Sequence, residues 1–150
     1  MARILYVDDE RAIGRAVQTW MTRKGVELRR SHSLAGAIKC LTKYRFDGAF
    51  IDLWLGDGSG FALYDHIRDR YPDLASRVAF VTGDTVPRAE VAAKLRERGC
   101  PVVNKPFDLS ELETWVEVWS ASAAREARPA GERAAVAHDG NGDDHSPPTP

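Results

Sequence analysis

Thiols are scarce in this chain: Cys40 and Cys100 are its two cysteines, and neither has a histidine or a second cysteine at ligand spacing. This argues against a disulfide framework or a zinc site and predicts two reduced, packed thiols. Clustered positive charge is missing too. Lys and Arg total 21 against 22 Asp and Glu, a net charge of -1, with no basic block anywhere. Without an electrostatic footprint for nucleic acid or for a membrane surface, neither is an expected partner. Long hydrophobic runs are absent as well. The apolar stretch after Met1 is too short for a signal peptide or a spanning helix, so the expected location is cytoplasmic. His32, His66, His138 and His145 are scattered in contexts that read as solvated surface or tail.

What is present describes one globular domain. The 150 residues are 43% hydrophobic and 29% charged, enough for a single sizeable core. Arg3 to Val7 is a strand-length β-branched and aromatic run. Ile13, Ala16, Val17, Trp20 and Met21 then space as one helix face, and Gly25 stops it. Val26 to Arg30 reads as a short edge strand, and Ser33 caps a helix carrying Leu34, Ala37, Ile38 and Leu41. Ala49-Phe50-Ile51 is a buried strand that empties into the turn Gly56-Asp57-Gly58-Ser59-Gly60. The next helix bears Phe61, Leu63, Tyr64 and Ile67 and ends before Tyr71-Pro72.

Val78 to Val81 is the fourth strand, and Pro87 to Arg98 a weak helix whose only large apolar side chains are Val91 and Leu95, with Gly99 as its cap. Val102-Val103 is the fifth strand. Asp108 and Glu111 have the form of a capping box opening a helix with Leu109, Leu112, Trp115, Val116 and Trp119. Strand and helix thus alternate five times, which predicts an α/β fold, a doubly wound five-stranded parallel sheet. Residues 1–123 form the expected domain and 124–150 an expected disordered polar tail, since Val136 is its one large aliphatic.

The ends of the strands carry the chemistry. Asp8 and Asp9 follow the first, Asp52 closes the third, Thr82 the fourth, and Lys105 follows the fifth. In a parallel sheet these ends share one edge, where ligands bind. Carboxylates converging there repel one another unless a cation joins them, and an oxygen-only donor set suits Mg²⁺. Lys105 adds a fixed positive charge and Thr82 a hydroxyl, which together suit phosphoryl transfer with Asp52 as a carboxylate nucleophile.

Val7-Asp8-Asp9-Glu10, Ile51-Asp52-Leu53, Val81-Thr82-Gly83 and Lys105-Pro106-Phe107, in that order and spacing, resemble the receiver domain of two-component response regulators over about Ala2 to Ser122. The resemblance implies a flavodoxin-like (βα)5 fold with strand order 2-1-3-4-5. It implies a phosphoryl group received by Asp52 from a histidine kinase or a histidine phosphotransfer protein. By the same resemblance Asp9 and Asp52 ligate Mg²⁺ directly, Asp8 through water, and the Trp54 carbonyl completes the protein ligands. The backbone at Trp54 and Gly83 contacts the phosphoryl group, Thr82 reorients as the switch, Lys105 pairs with the phosphoryl oxygens, and the Lys105-Pro106 bond is cis. A homodimer through the fourth and fifth helices is a further implied partner, and with no output domain in view the expected type is a stand-alone regulator signalling through a binding surface or onward phosphorelay.

Two positions depart from the usual pattern. Val102 stands where receivers commonly place a Tyr or Phe that swings inward, a rotation no aliphatic side chain performs. Trp54 is bulky where many receivers are small and polar, and is expected to shield an acyl phosphate from water together with Asp84. Trp115 and Trp119 are expected first as core and core-edge residues, and as the alternative they leave, with Val118, a partly exposed patch near the weak helix. Three other readings compete. A nucleotide site at Gly56, Gly58 and Gly60 lacks both the G-x-G-x-x-G and the P-loop pattern. A Mg²⁺-dependent phosphohydrolase cycling through Asp52 would need a cap insertion that no connection is long enough to supply. A phosphorylation-independent binding module would be expected to have lost an acid or the lysine.

Overall fold

The computed structural model describes residues 1–84 and 86–126. Its main sheet has five strands, β1 (Arg3–Val7), β2 (Glu27–Ser31), β3 (Gly48–Asp52), β4 (Val78–Thr82) and β5 (Val102–Asn104). Helices α1 (Arg11–Arg23), α2 (Leu34–Lys43), α3 (Gly60–Arg70), α4 (Ala89–Arg98) and α5 (Leu109–Glu126) alternate with them. Across the sheet the order is β2-β1-β3-β4-β5 with every neighbouring pair parallel, the expected flavodoxin-like arrangement. A two-residue antiparallel ladder, Trp54–Leu55 with Gly58–Ser59, and one helical turn, Pro72–Ala75, interrupt the alternation.

Side chains that alternate along each strand build two cores. Leu5, Val7, Ala49, Ile51 and Phe80 face α2, α3 and α4, where Leu41, Leu63, Ile67 and Val91 meet them. Ile4, Tyr6, Phe50, Ala79 and Val81 face α1 and α5, against Val17, Met21, Leu112, Val116 and Trp119. Both faces being covered explains why β3 and β4 are buried at every position. Each such Leu, Ile or Phe contributes about 1.5–3 kcal/mol by leaving water.

Trp119 is core, its ring 4.8 Å from that of Phe50, so it adds nothing to a surface patch. Trp115 packs half-buried beside it, and Val118 is exposed. Cys40 and Cys100 are unpaired and half-buried.

Element ends follow local hydrogen bonding. β2 begins one residue later than its sequence suggests because the Val26 N–H donates to the Met21 carbonyl, closing the turn after α1. Gly99 takes φ +67° and its N–H caps α4 on the Leu95 carbonyl, a conformation that only glycine adopts cheaply. Before α5 the box is half made: Glu111 accepts from the Asp108 N–H at 3.4 Å. α5 continues to Glu126, past the compositional boundary at residue 123, and Glu126 accepts from Arg77 Nη1 at 2.7 Å. The expectation of a tail falls otherwise on residues 127–150, outside the described residues.

The glycine-rich turn is a brace. Asp57 at its tip accepts from the Leu34 and Ala35 N–H groups at 2.7 and 3.0 Å, which ties the turn to the start of α2 and holds its carboxyl below the usual carboxylate range. Ser59 caps α3 by accepting from the Ala62 N–H. Packing demands the glycine at Gly60, where a Cβ would collide with the Asp52 carbonyl, whereas on Gly58 it would meet only the end of the Leu34 side chain.

Candidate functional site

Parallel pairing in register brings Asp8, Asp52, Thr82 and Lys105 to one edge. Lys105 Nζ lies 2.8 Å from Asp52 Oδ2, 3.0 Å from Asp8 Oδ2 and 2.6 Å from Glu10 Oε1. Asp8, Asp52 and Thr82 are buried, and the Lys105 side chain is 12% exposed. Further hydrogen bonds hold the two aspartates. Asp52 Oδ1 accepts from the Trp54 N–H at 3.2 Å, Asp8 Oδ1 from the Glu10 N–H at 2.9 Å, and Asp8 Oδ2 from the Tyr6 hydroxyl at 3.1 Å. The Lys105-Pro106 bond is cis, and the Lys105 N–H donates to the Thr82 carbonyl at 2.8 Å.

Burial pushes the Asp52 carboxyl up to about 6; Asp8 pushes the same way, while Lys105 and the Trp54 N–H oppose it. Burial alone would lower the Lys105 ammonium, yet hydrogen bonds to Asp52, Glu10 and Asp8 outweigh it and raise the group. The two groups are raised for different reasons, burial first for Asp52 and carboxylate hydrogen bonds for Lys105. Three carboxylates surround one ammonium, so positive charge is scarce and negative charge is in excess.

One oxygen each from Asp8, Glu10 and Asp52 lies within 4.8 Å of the others. An excess of two negative charges on oxygen-only donors, with no imidazole or thiolate in the group, fits a hard divalent cation. Asp9 is exposed and outside this trio, whereas Glu10 is inside it. Glu10 sits at the N-cap position of α1, from which its longer side chain reaches Lys105. The run Asp8-Asp9-Glu10 held that signal, but spacing alone does not say which of three adjacent acids turns inward.

Around the trio the structure places the other expected residues. The Thr82 hydroxyl accepts from the Asp84 N–H at 3.0 Å. Gly83 borders open space. Val102 is 37% exposed on β5. Trp54 is 49% exposed; its indole N–H donates to Asp84 Oδ2 at 3.3 Å, and its ring stands edge-on to Phe61 at 6.4 Å. The indole therefore links the loops after β3 and β4 across the mouth of the site.

An acid whose folded pKa is raised destabilises the fold above that value, because the unfolded chain gives up the proton more readily. Between pH about 4 and 6, stability should thus fall as pH rises on account of Asp52. Asp52→Asn is expected to be about 1–3 kcal/mol more stable than the parent at pH 7 without divalent cations, with the difference shrinking toward pH 4. Urea melts at the two pH values decide it, and equal stability at pH 7 would refute the burial argument.

The sequence profile of the response regulator receiver domain matches residues 4–117. The chain is 30% identical over 136 residues to response regulator protein PilR of Pseudomonas aeruginosa, covering 89% of this chain and 28% of that protein. It is 31% identical over 117 residues to the DNA-binding transcriptional regulator NtrC of Azospirillum brasilense, covering 77% and 24%. The chain therefore spans about a quarter of the length of these relatives. Among solved structures, a CheY-like response regulator receiver domain protein from Methanospirillum hungatei superposes with TM-score 0.75 at 21% identity, over 85% of this chain and 99% of that one. Response regulator protein TrrA from Thermotoga maritima, in complex with Mg²⁺ and BeF, gives TM-score 0.68 at 24% identity, over 79% and 99%.

Proposed function

The chain belongs to the response regulator receiver domain family, and on that premise we propose that Asp52 accepts a phosphoryl group from a phosphohistidine of a histidine kinase or a histidine phosphotransfer protein. The observation that carries this reading is the Asp52 carboxylate at the carboxyl edge of the sheet, with one oxygen on Lys105 and the other on the Trp54 N–H. A carboxylate oxygen attacks phosphorus, the new Asp52 O–P bond forms, and the donor's P–N bond breaks, leaving imidazole to take up a proton. Lys105 balances charge on the phosphoryl oxygens, and the Thr82 hydroxyl donates to one of them. The Trp54 and Gly83 N–H groups would donate to the same oxygens.

Asp8, Glu10 and Asp52, joined by Asp9 and the Trp54 carbonyl, are the residues that would hold Mg²⁺. When bound, the ion would neutralise the phosphoryl charge that Lys105 alone leaves uncompensated. On this reading the chain is a phosphoacceptor rather than an enzyme acting on a separate substrate. Its output is a changed binding surface or an onward phosphoryl transfer, and a homodimer through α4 and α5 is one form that surface takes. Among the described residues no helix is long and apolar enough to cross a membrane.

Incubation with acetyl phosphate and Mg²⁺ should add one phosphoryl mass to the intact chain, labile to hydroxylamine and absent in Asp52→Asn. A stable adduct, or one that persists in that variant, would sink the assignment. Once formed, the acyl phosphate should be sheltered by the Trp54 indole held on Asp84. Trp54→Ala is accordingly expected to shorten the phosphoprotein half-life about three- to tenfold, corresponding to roughly 1 kcal/mol of barrier. Phosphate release at the parental rate would mean that the indole is no shield.

A further inference from the structure

A groove of about 560 Å³ opens at the other edge of the sheet, between the ends of α2 and α3 and the turn Pro72–Ala75. Its floor is apolar, made by Leu41, Phe46 and Leu74. Its rim is cationic. Lys43 and Arg45 stand on one side and Arg70 on the other, and none of the three has a carboxylate partner among the described residues. Arg77, with a side chain 5% exposed, lines the groove as well. Its Nε and Nη1 are committed to the Asp47 carbonyl and to Glu126, while Nη2 has no hydrogen-bond partner among the described residues. Asp73 is the one carboxylate in the lining.

Helix ends explain part of this charge. Lys43 and Arg70 lie in the last turns of α2 and α3, where a cation offsets the helix dipole. Arg45 has no such duty. Tyr44 and Tyr71 form aromatic walls, and they are not equivalent. The guanidinium groups of Arg29 and Arg3 already lie 4.1 and 5.3 Å from the Tyr44 ring centre, whereas the half-buried Tyr71 has His66 at 6.2 Å as its ring neighbour. Tyr71, packed partly against the core and carrying no guanidinium among the described residues, is therefore the wall assigned to a planar group.

We propose that this groove binds a phosphorylated small molecule bearing a planar ring, of the nucleoside diphosphate class. Its volume lies within the range of about 300–1,000 Å³ usual for small-ligand sites, and an apolar floor with a few convergent charges is their usual lining. Cations contributed by separate segments suit a ligand with more than one negative charge, and the arginine forks match phosphate oxygens. The site is distinct from the acceptor edge, since the length of β3 separates Phe46 from Asp52 by roughly 15–20 Å. The glycines after Asp52 play no part in it.

Calorimetric titration of the full chain in EDTA tests the proposal, because metal-bridged binding at the acceptor edge is then suppressed. ADP should bind saturably and at least about tenfold more tightly than pyrophosphate, which lacks the ring. The double variant Lys43→Glu/Arg70→Glu, whose parent side chains are both exposed, should weaken ADP at least about tenfold while keeping its circular dichroism. Should that variant fold poorly, chemical-shift mapping on the unmodified chain decides. Shifts at residues 41–46 and 70–77 support the site, and shifts at Asp52 and Thr82 instead overturn it. Absence of saturable heat, equal affinity for pyrophosphate, or binding indifferent to the double substitution would each overturn it too.

Discussion

Gly60→Ala is expected to lower stability by about 3 kcal/mol, near the upper end of overpacking costs, and the thermal midpoint by roughly 10 °C. A Cβ at this position would meet the Asp52 backbone carbonyl and also press on the Ile51 side chain. Neither neighbour yields easily, because β3 is paired on both sides and buried throughout. The helix start and the acceptor must therefore move apart, so the folded fraction should also accept phosphoryl groups more slowly. Gly56→Ala is the matched control. Its added Cβ meets nothing within 4 Å, and the change should stay within about 0.5 kcal/mol. Equal melting curves for the two variants would show that the close approach at Gly60 is not a constraint.

Lys105→Met should have the larger functional effect. The substitution keeps the bulk of the side chain and removes the one ammonium shared by Asp8, Glu10 and Asp52. Loss of a positioned charge of this kind typically slows group transfer by about 10²–10³-fold, and phosphoryl uptake from acetyl phosphate should fall in that range. Stability without divalent cations should fall by about 2–3 kcal/mol, less than for a fully buried pair because Lys105 keeps some exposure. Mg²⁺ should then stabilise the variant more than the parent, since the ion would meet three carboxylates with no resident competitor. Calorimetric melts with and without Mg²⁺ separate the two effects. If Mg²⁺ protects both proteins equally, the ammonium and the ion do not share the same charge.

Much of this arrangement was legible in residue order. The four polar strand ends could be read because each follows a short apolar run, and a parallel sheet leaves such ends no choice of edge. The two-layer core was legible for a related reason: alternation along β1 and β3 and helical spacing in α1 and α5 repeat at fixed periods. Aperiodic contacts were not. Glu10 joins the acidic group through a backbone turn that no spacing rule distinguishes from Asp9. Asp57 looked like part of a permissive turn, and only the approach of α2 makes it a brace. Trp119 and Trp115 share one helix and one residue type, yet Trp119 alone lies over Gly48, where the missing side chain makes room for its ring. Arg77 carries no periodic or motif signal in the sequence. In the fold it ties the chain entering β3 to the last turn of α5.

α4 is the lightest anchored of the helices flanking the sheet. Val91 is its one buried side chain, and its firmest polar tie is the two-pronged bond from Arg98 to Asp65. Together these are worth about 2–4 kcal/mol, so a conformer with α4 displaced should exist at roughly the 0.1–3% level before any phosphoryl group arrives. A partner that recognises the displaced form would find it already there. On the proposed reading, in which output passes through a changed binding surface, the unmodified protein should show a basal output that rises with its concentration.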